Sequence, residues 1–155
     1  MNMEFETISP RFAKKEFEKI ENGEKIWITT TTKFIPKIIF DISKRLAQID
    51  LIKYVKISND TILASSEIKG KRVLIPVIQQ YHPTAIGLNL AFYLEYKMMD
   101  FNEINSPIKG YGNKLVNSVL TDFPEDWNAT VVFDYSDGFW DKMKRTYDKI
   151  NWIDI

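Results

Sequence analysis

The sequence predicts a mixed α/β domain whose central sheet is mostly antiparallel and is flanked by helices. Three observations carry that expectation. Stripes of apolar residues at helical spacing alternate with β-branched stretches of period two. Several of the extended stretches follow one another across short turns, and the last third alternates helix with strand. A length of 155 residues is that of one domain, and 1–155 reads as one, with no repeat, low-complexity tract or linker. A chain this long can bury roughly 70% of its unfolded surface. The 45% hydrophobic and 14% aromatic content supplies that core.

In chain order, Ser9-Pro10 is a helix start, with Ser as N-cap and Pro in the first helical position. Ala13, Phe17 and Ile20 share one face of the helix, and Asn22-Gly23 stops it. Residues 24–31 read as a strand on their β-branched content. Ile35, Ile38, Ile39, Ile42, Leu46 and Ile49 then form one stripe of a 3.6-period helix, with Pro36 in its first turn. From Lys53 the period is two: strands 53–58 and 61–68 flank Asn59-Asp60, a tight turn. Lys69-Gly70-Lys71 leads into a strand over 72–80, where Pro76 argues for an edge or a bulge. The longest extended run follows, Leu88 to Phe101, with Leu88, Leu90, Phe92, Leu94, Tyr96 and Met98 on one face and a more polar set opposite. A loop over 102–110, a helix over 111–122, a strand over 129–133, a helix over 137–149 and a strand over 151–155 complete the plan.

Composition removes several function classes. Lys and Arg number 21, as do Asp and Glu, and neither half of the chain is a basic arm or an acidic tail. Tracking of a nucleic-acid backbone needs a basic stripe, so nucleic acid is an unlikely partner. Cysteine is absent and His82 is the one histidine, which removes thiol nucleophiles and Cys-ligated metal and leaves no metal site expected. No apolar run approaches the ~20 residues of a membrane span. No cationic segment followed by an apolar run opens the chain, so a cytoplasmic protein is expected, as a monomer or homodimer.

The most informative segment is Lys109-Gly110-Tyr111-Gly112-Asn113-Lys114-Leu115. Glycines two apart, between an extended run and an amphipathic helix, suit a turn whose amides meet an anion at a helix N-terminus. Lys109 and Lys114 add positive charge. The segment is not a Walker P-loop and lacks the third glycine of a dinucleotide fingerprint. An ordinary loop entering a helix is the competing structural reading.

The long strand, the Gly-x-Gly loop, the helix, the short strand and a helix opening on an aromatic pair together resemble the GNAT superfamily of acyl-CoA-dependent N-acyltransferases. Gly110-Tyr111-Gly112 matches the end of that family's Gln/Arg-x-x-Gly-x-Gly/Ala signature, and Gly138-Phe139-Trp140-Asp141-Lys142-Met143 is similar to its Tyr-containing FY-x-K-x-GF segment. The resemblance covers residues 86–150. It implies a GNAT-like fold, acetyl-CoA or CoA as co-substrate, and a small-molecule or peptide amine as acceptor. It also implies that Lys109, Gly110, Tyr111, Gly112, Asn113 and Lys114 meet the cofactor's phosphates and that backbone near Met98 and Met99 pairs with its pantetheine arm. Glu95, on the polar face of the long strand, is the candidate general base and Tyr135 the candidate acid, with Tyr111 and Tyr147 behind it.

The chain departs from the family at two positions. Pro107 stands where the signature has Gln or Arg, and Trp140 where the frequent general-acid Tyr would stand. These departures leave open a second class of function, a non-catalytic interaction or inhibitor protein that keeps the fold. The structural readings also stand: Glu95 on a solvated sheet face, Tyr135 as packing before a helix cap, Phe139, Trp140 and Met143 as core, His82 as a turn residue and Trp127 as a core anchor.

Overall fold

The computed structural model of the protein describes residues 6–20, 25–29, 32–68 and 82–154. The strand expected over 72–80, the turn before it and the Asn22-Gly23 stop lie outside the described residues.

A two-residue strand, β1 (Thr7–Ile8), precedes α1 (Pro10–Glu18), which Ser9 caps by accepting a 3.2 Å hydrogen bond from the Phe12 amide. Strand β2 (Ile26–Ile28) follows. A second two-residue strand, β3 (Ile35–Pro36), pairs antiparallel with β1 and leads directly into α2 (Lys37–Ala47). The apolar stripe of α2 is buried as its spacing predicts, through Ile38, Ile39, Ile42 and Leu46. The helix is closed at its C-terminal end by the buried Lys25, whose Nζ donates to the carbonyls of Ala47 (3.0 Å) and Ile49 (3.2 Å). A cation there opposes the negative end of the helix dipole.

Strands β4 (Tyr54–Ser58) and β5 (Thr61–Glu67) form the expected hairpin, with Asn59 at φ 49° in its two-residue turn. The run expected as one strand from Leu88 to Phe101 is instead two. Strand β6 (Ala85–Tyr93) and strand β7 (Met98–Asn105) are antiparallel neighbours joined by a 3₁₀ turn, Leu94–Tyr96, with Lys97 in left-handed backbone at φ 47°. Alternation of side chains persists through the reversal, and no glycine or proline marks it. Strand β7 also carries a bulge, because Leu90 faces Phe101 while Asn89 faces Glu103, leaving Asn102 as the extra residue. His82 is the turn residue its setting suggests: Nδ1 accepts from the amides of Thr84 (3.1 Å) and Ala85 (2.9 Å) at the entrance to β6.

The remaining elements are α3 (Tyr111–Leu120), β8 (Asn128–Thr130), α4 (Phe139–Thr146) and β9 (Asn151–Ile153). Seven strands make one sheet in the order β2-β4-β5-β6-β7-β8-β9. Its middle, β4 to β7, is an antiparallel meander, whereas β2 joins β4, β8 joins β7 and β9 joins β8 in parallel. The fold is therefore mixed α/β. Buried side chains from α1 through α4 and from the sheet form one hydrophobic cluster. Trp127 anchors it edge-on to Phe92, and Trp140 lies against Phe101 with ring centroids 4.8 Å apart. No helix among the described residues is long and apolar enough to cross a membrane.

Candidate functional site

Parallel strands linked through helices leave a crevice at their carboxyl ends, where ligands of open α/β sheets commonly bind. Here that crevice follows from unequal strand lengths. Strand β8 pairs with β7 only from Met98↔Asn128 to Asp100↔Thr130. Beyond that point β7 runs on to Asn105, still paired with β6 on its other side, while the chain after Thr130 leaves the sheet. Past the fork lies a cavity of about 510 Å³. Ile104, Asn105 and Ser106 at the end of β7, the loop and first turn of α3, and the start of α4 line it.

The loop into α3 turns through Ser106, whose hydroxyl donates to the Ile108 carbonyl at 2.9 Å, and through Gly110 at φ 89°. An L-residue other than glycine is strained at such a φ. Gly110 has no side chain with which to cap α3, and the Gly112 and Asn113 amides have no hydrogen-bond partner among the described residues. Both residues line the cavity. Gly112 also allows close helix packing, since a Cβ there would lie 3.2 Å from the Phe139 ring. On the facing side, Gly138 begins α4 at φ 86°, and the Trp140 amide donates to Ser136 Oγ at 3.3 Å. Lys109 and Lys142 bring two cations to the cavity and Asp137 one carboxylate. Open amides at the positive end of a helix dipole, with two ammonium groups alongside, favour a phosphate-bearing ligand.

Asp100 stands at the fork itself. It is buried, and its Oδ1 accepts a 3.3 Å hydrogen bond from the Val132 amide where the chain leaves β8. Burial pushes its carboxyl above the usual carboxylate range, and the Val132 hydrogen bond only partly opposes this. At ~3.3 Å per residue, Asp100 is roughly 13 Å along β7 from Ile104 at the cavity.

Four of the expected phosphate-loop residues, Lys109, Gly110, Gly112 and Asn113, meet at this cavity. Two do not. The Tyr111 hydroxyl donates to Asp50 (3.0 Å), holding that carboxyl below its usual range, and Lys114 stacks over the Tyr111 ring at 4.4 Å. Lys114 faces a separate cavity of about 450 Å³ beside Arg45 and Asp50. Met98 and Met99 are corrected as well: both pair with β6 and with β8, so the unpaired edge of β7 starts only after Asp100.

Glu95 is not on a strand face. It is exposed in the 3₁₀ turn before β7, at the opposite end of that strand from the cavity, because the chain reverses where a continuous strand was expected. Tyr135 is 66% exposed in the loop after β8, its ring parallel to that of Phe133, and does not line the cavity. The Tyr147 hydroxyl donates toward Asn113 and Asn117 of α3, and burial raises its pKa. Trp140 is core, buried among Phe101, Phe139 and Trp152.

Sequence reasoning missed Asp100 and Lys142, whereas Ser136 or Asp137 was expected as the cap of the last helix and Ser136 Oγ does accept from the Trp140 amide. Lys142 could have been found from its spacing three residues after Phe139 on the same helix. Asp100 carries no local signal, since its burial depends on β8, whose Thr130 pairs with it from 30 residues away. No family model, no curated protein and no solved structure matches this chain.

Proposed function

We propose that this protein is a GNAT-like N-acyltransferase that moves an acyl group, typically acetyl, from acyl-CoA to an amine. One observation carries the reading: β7 and β8 part at Asp100 and open toward a cavity that ends on the amides of Gly112 and Asn113, which have no hydrogen-bond partner among the described residues. The pyrophosphate is taken by those amides with Lys109 and Lys142. The pantetheine arm lies along the edge of β7 beyond Asp100 and brings the thioester to the fork.

The chemistry is direct transfer. The amine nitrogen attacks the thioester carbonyl carbon, the new C–N bond forms, the C–S bond breaks, and sulfur departs as the thiolate. Asp100 is the general base, accepting the proton lost by the attacking nitrogen. A carboxyl raised by burial is better matched to that task than an ordinary one. A thiolate with an intrinsic pKa of about 8.5 is a fair leaving group near neutrality and can take its proton from water. The indole at Trp140 therefore does not forbid turnover.

Thermal unfolding with CoA and acetyl-CoA tests the cofactor. Ligand at ~100 times its dissociation constant adds about 2.7 kcal/mol, a rise of roughly 5–10 °C for this length. The rise is expected to vanish in Gly112→Trp and to shrink in Lys109→Ala/Lys142→Ala, whose exposed side chains leave the fold unchanged. No rise at millimolar CoA would end the reading. The burial of Trp140 favours a second one, a CoA-binding protein without turnover. A thermal shift with no acetyl transfer to any amine would select it.

A further inference from the structure

The segment leaving the fork carries exposed aromatic side chains close together. Val132, Phe133 and Tyr135 are 39%, 58% and 66% exposed, three consecutive members of the small set of large hydrophobic side chains that face water. Phe133 and Tyr135 are two residues apart and face each other. Their rings lie parallel within 3°, with centroids 6.2 Å apart. Charge on the segment has one sign. Asp134, Asp137 and Asp141 are all exposed, and no Lys, Arg or His occurs between Asn128 and Asp141. Asp134 is held in place by accepting from the amide (2.9 Å) and hydroxyl (2.6 Å) of Ser136. Exposed aromatic faces among carboxylates attract cations, through the ring quadrupole and through charge.

From this we infer that the 131–137 segment docks a lysine-rich stretch of a polypeptide, and that a lysine of that stretch is the acyl acceptor. The inference rests on the acyl-transfer reading for its second half alone. The patch is contiguous with the fork, because the Val132 amide is bonded to Asp100 one residue before Phe133. A chain lying over Phe133 and Tyr135 thus lies beside the segment whose Val132 amide holds Asp100. A free polyamine fits less well, since small ligands need concave sites and neither ring lines the cavity.

The test is fluorescence anisotropy of the full-length protein with a labelled peptide of alternating lysine and glycine, without CoA. Saturable binding that weakens with salt is expected. Phe133→Ala/Tyr135→Ala and Asp134→Asn/Asp137→Asn should each weaken it by at least about tenfold, or roughly 1.4 kcal/mol, with unfolding midpoints unchanged. Undiminished binding in both double variants would overturn the docking surface. So would failure of the peptide to bind under conditions where free spermidine does. Peptide binding without a thermal response to CoA would keep the surface and remove acyl transfer. A CoA response without peptide binding would do the reverse.

Discussion

The two halves of the sheet are built on opposite principles. From β4 to β7 the ladders are long and antiparallel, and Ile57, Ile62, Leu88, Leu90 and Phe92 are buried to 1% exposure or less. From β7 to β9 the ladders are parallel and three residues each, the helices start at their carboxyl ends, and polar groups collect: Asp100 at the fork and open amides on α3. The first half is closed over its buried side chains, and the second is defined by its gap. Strand length makes the difference, because shortening β8 against an eight-residue β7 leaves one edge of β7 unpaired among the described residues.

Gly87→Ala would break the closed half, and it should have the largest effect on stability. Gly87 lies at φ 151° with its backbone against β5, and a Cβ there would meet the Ala64 carbonyl oxygen at 1.9 Å. Backbone cannot yield as a side-chain tip does, so β5 and β6 must separate. A loss of about 4 kcal/mol or more is expected, lowering the unfolding midpoint by on the order of 10 °C. A midpoint within a degree of wild type would show that the two strands are less closely apposed than described.

Asp100→Asn sharpens the contrast from the open side. Asparagine keeps an oxygen for the Val132 amide and removes the buried charge. Because burial raises the folded-state pKa above 3.8, the native protein binds more protons than the unfolded chain in the window above 3.8. Wild-type stability therefore falls as pH rises through that window, and none of this penalty remains below it. The variant should unfold at a higher temperature than wild type at pH 7, with the gain disappearing as pH approaches 3.8. Acetyl transfer should fall by about 10²–10⁴-fold. A variant less stable at pH 7 would mean that the carboxylate has an additional partner.

How much of this was legible in the sequence divides along the same line. The helix of residues 37–47, the Asn59-Asp60 hairpin and the Ser9 cap rest on neighbouring residues and form as their local patterns predict, except that Ile35 and Pro36, expected in the first turn of that helix, pair as β3 and Ile49 lies beyond its end. The β6–β7 reversal was hidden because Lys97 takes a left-handed conformation without the glycine that usually announces one. That hidden reversal misdirected the site. On a continuous strand Glu95 would have kept its place on the sheet's polar face, whereas the turn sets it exposed beyond the start of β7, at the end away from the cavity. The glycines at 110 and 112 were readable as glycines, since no side chain competes for their meaning. Asp100 was not readable, because an aspartate in an alternating run means a wet face until another strand covers it.

The smallest effect concerns the helix starts, which repeat the contrast at the scale of one turn. Helix α1 is closed by the Ser9 side chain, and α2 by backbone from the start of the chain, the Lys37 amide donating to the Glu6 carbonyl at 2.8 Å. Helix α3 has neither. Ser9→Ala should cost about 1 kcal/mol, roughly 2–4 °C, and leave ligand affinity alone, since Ser9 touches nothing at the cavity. Gly110→Asn makes the complementary test. Asparagine tolerates left-handed backbone, and no atom lies within 4 Å of a Cβ at this position. It can offer its own oxygen to the amides at N2 and N3 of α3, Gly112 and Asn113, as N-cap side chains do. Stability should hold or rise by a fraction of a kcal/mol, while CoA affinity falls as the cap competes with the phosphate. Unchanged affinity would mean that those amides do not meet the ligand, and that α3 is uncapped for a reason unconnected with binding.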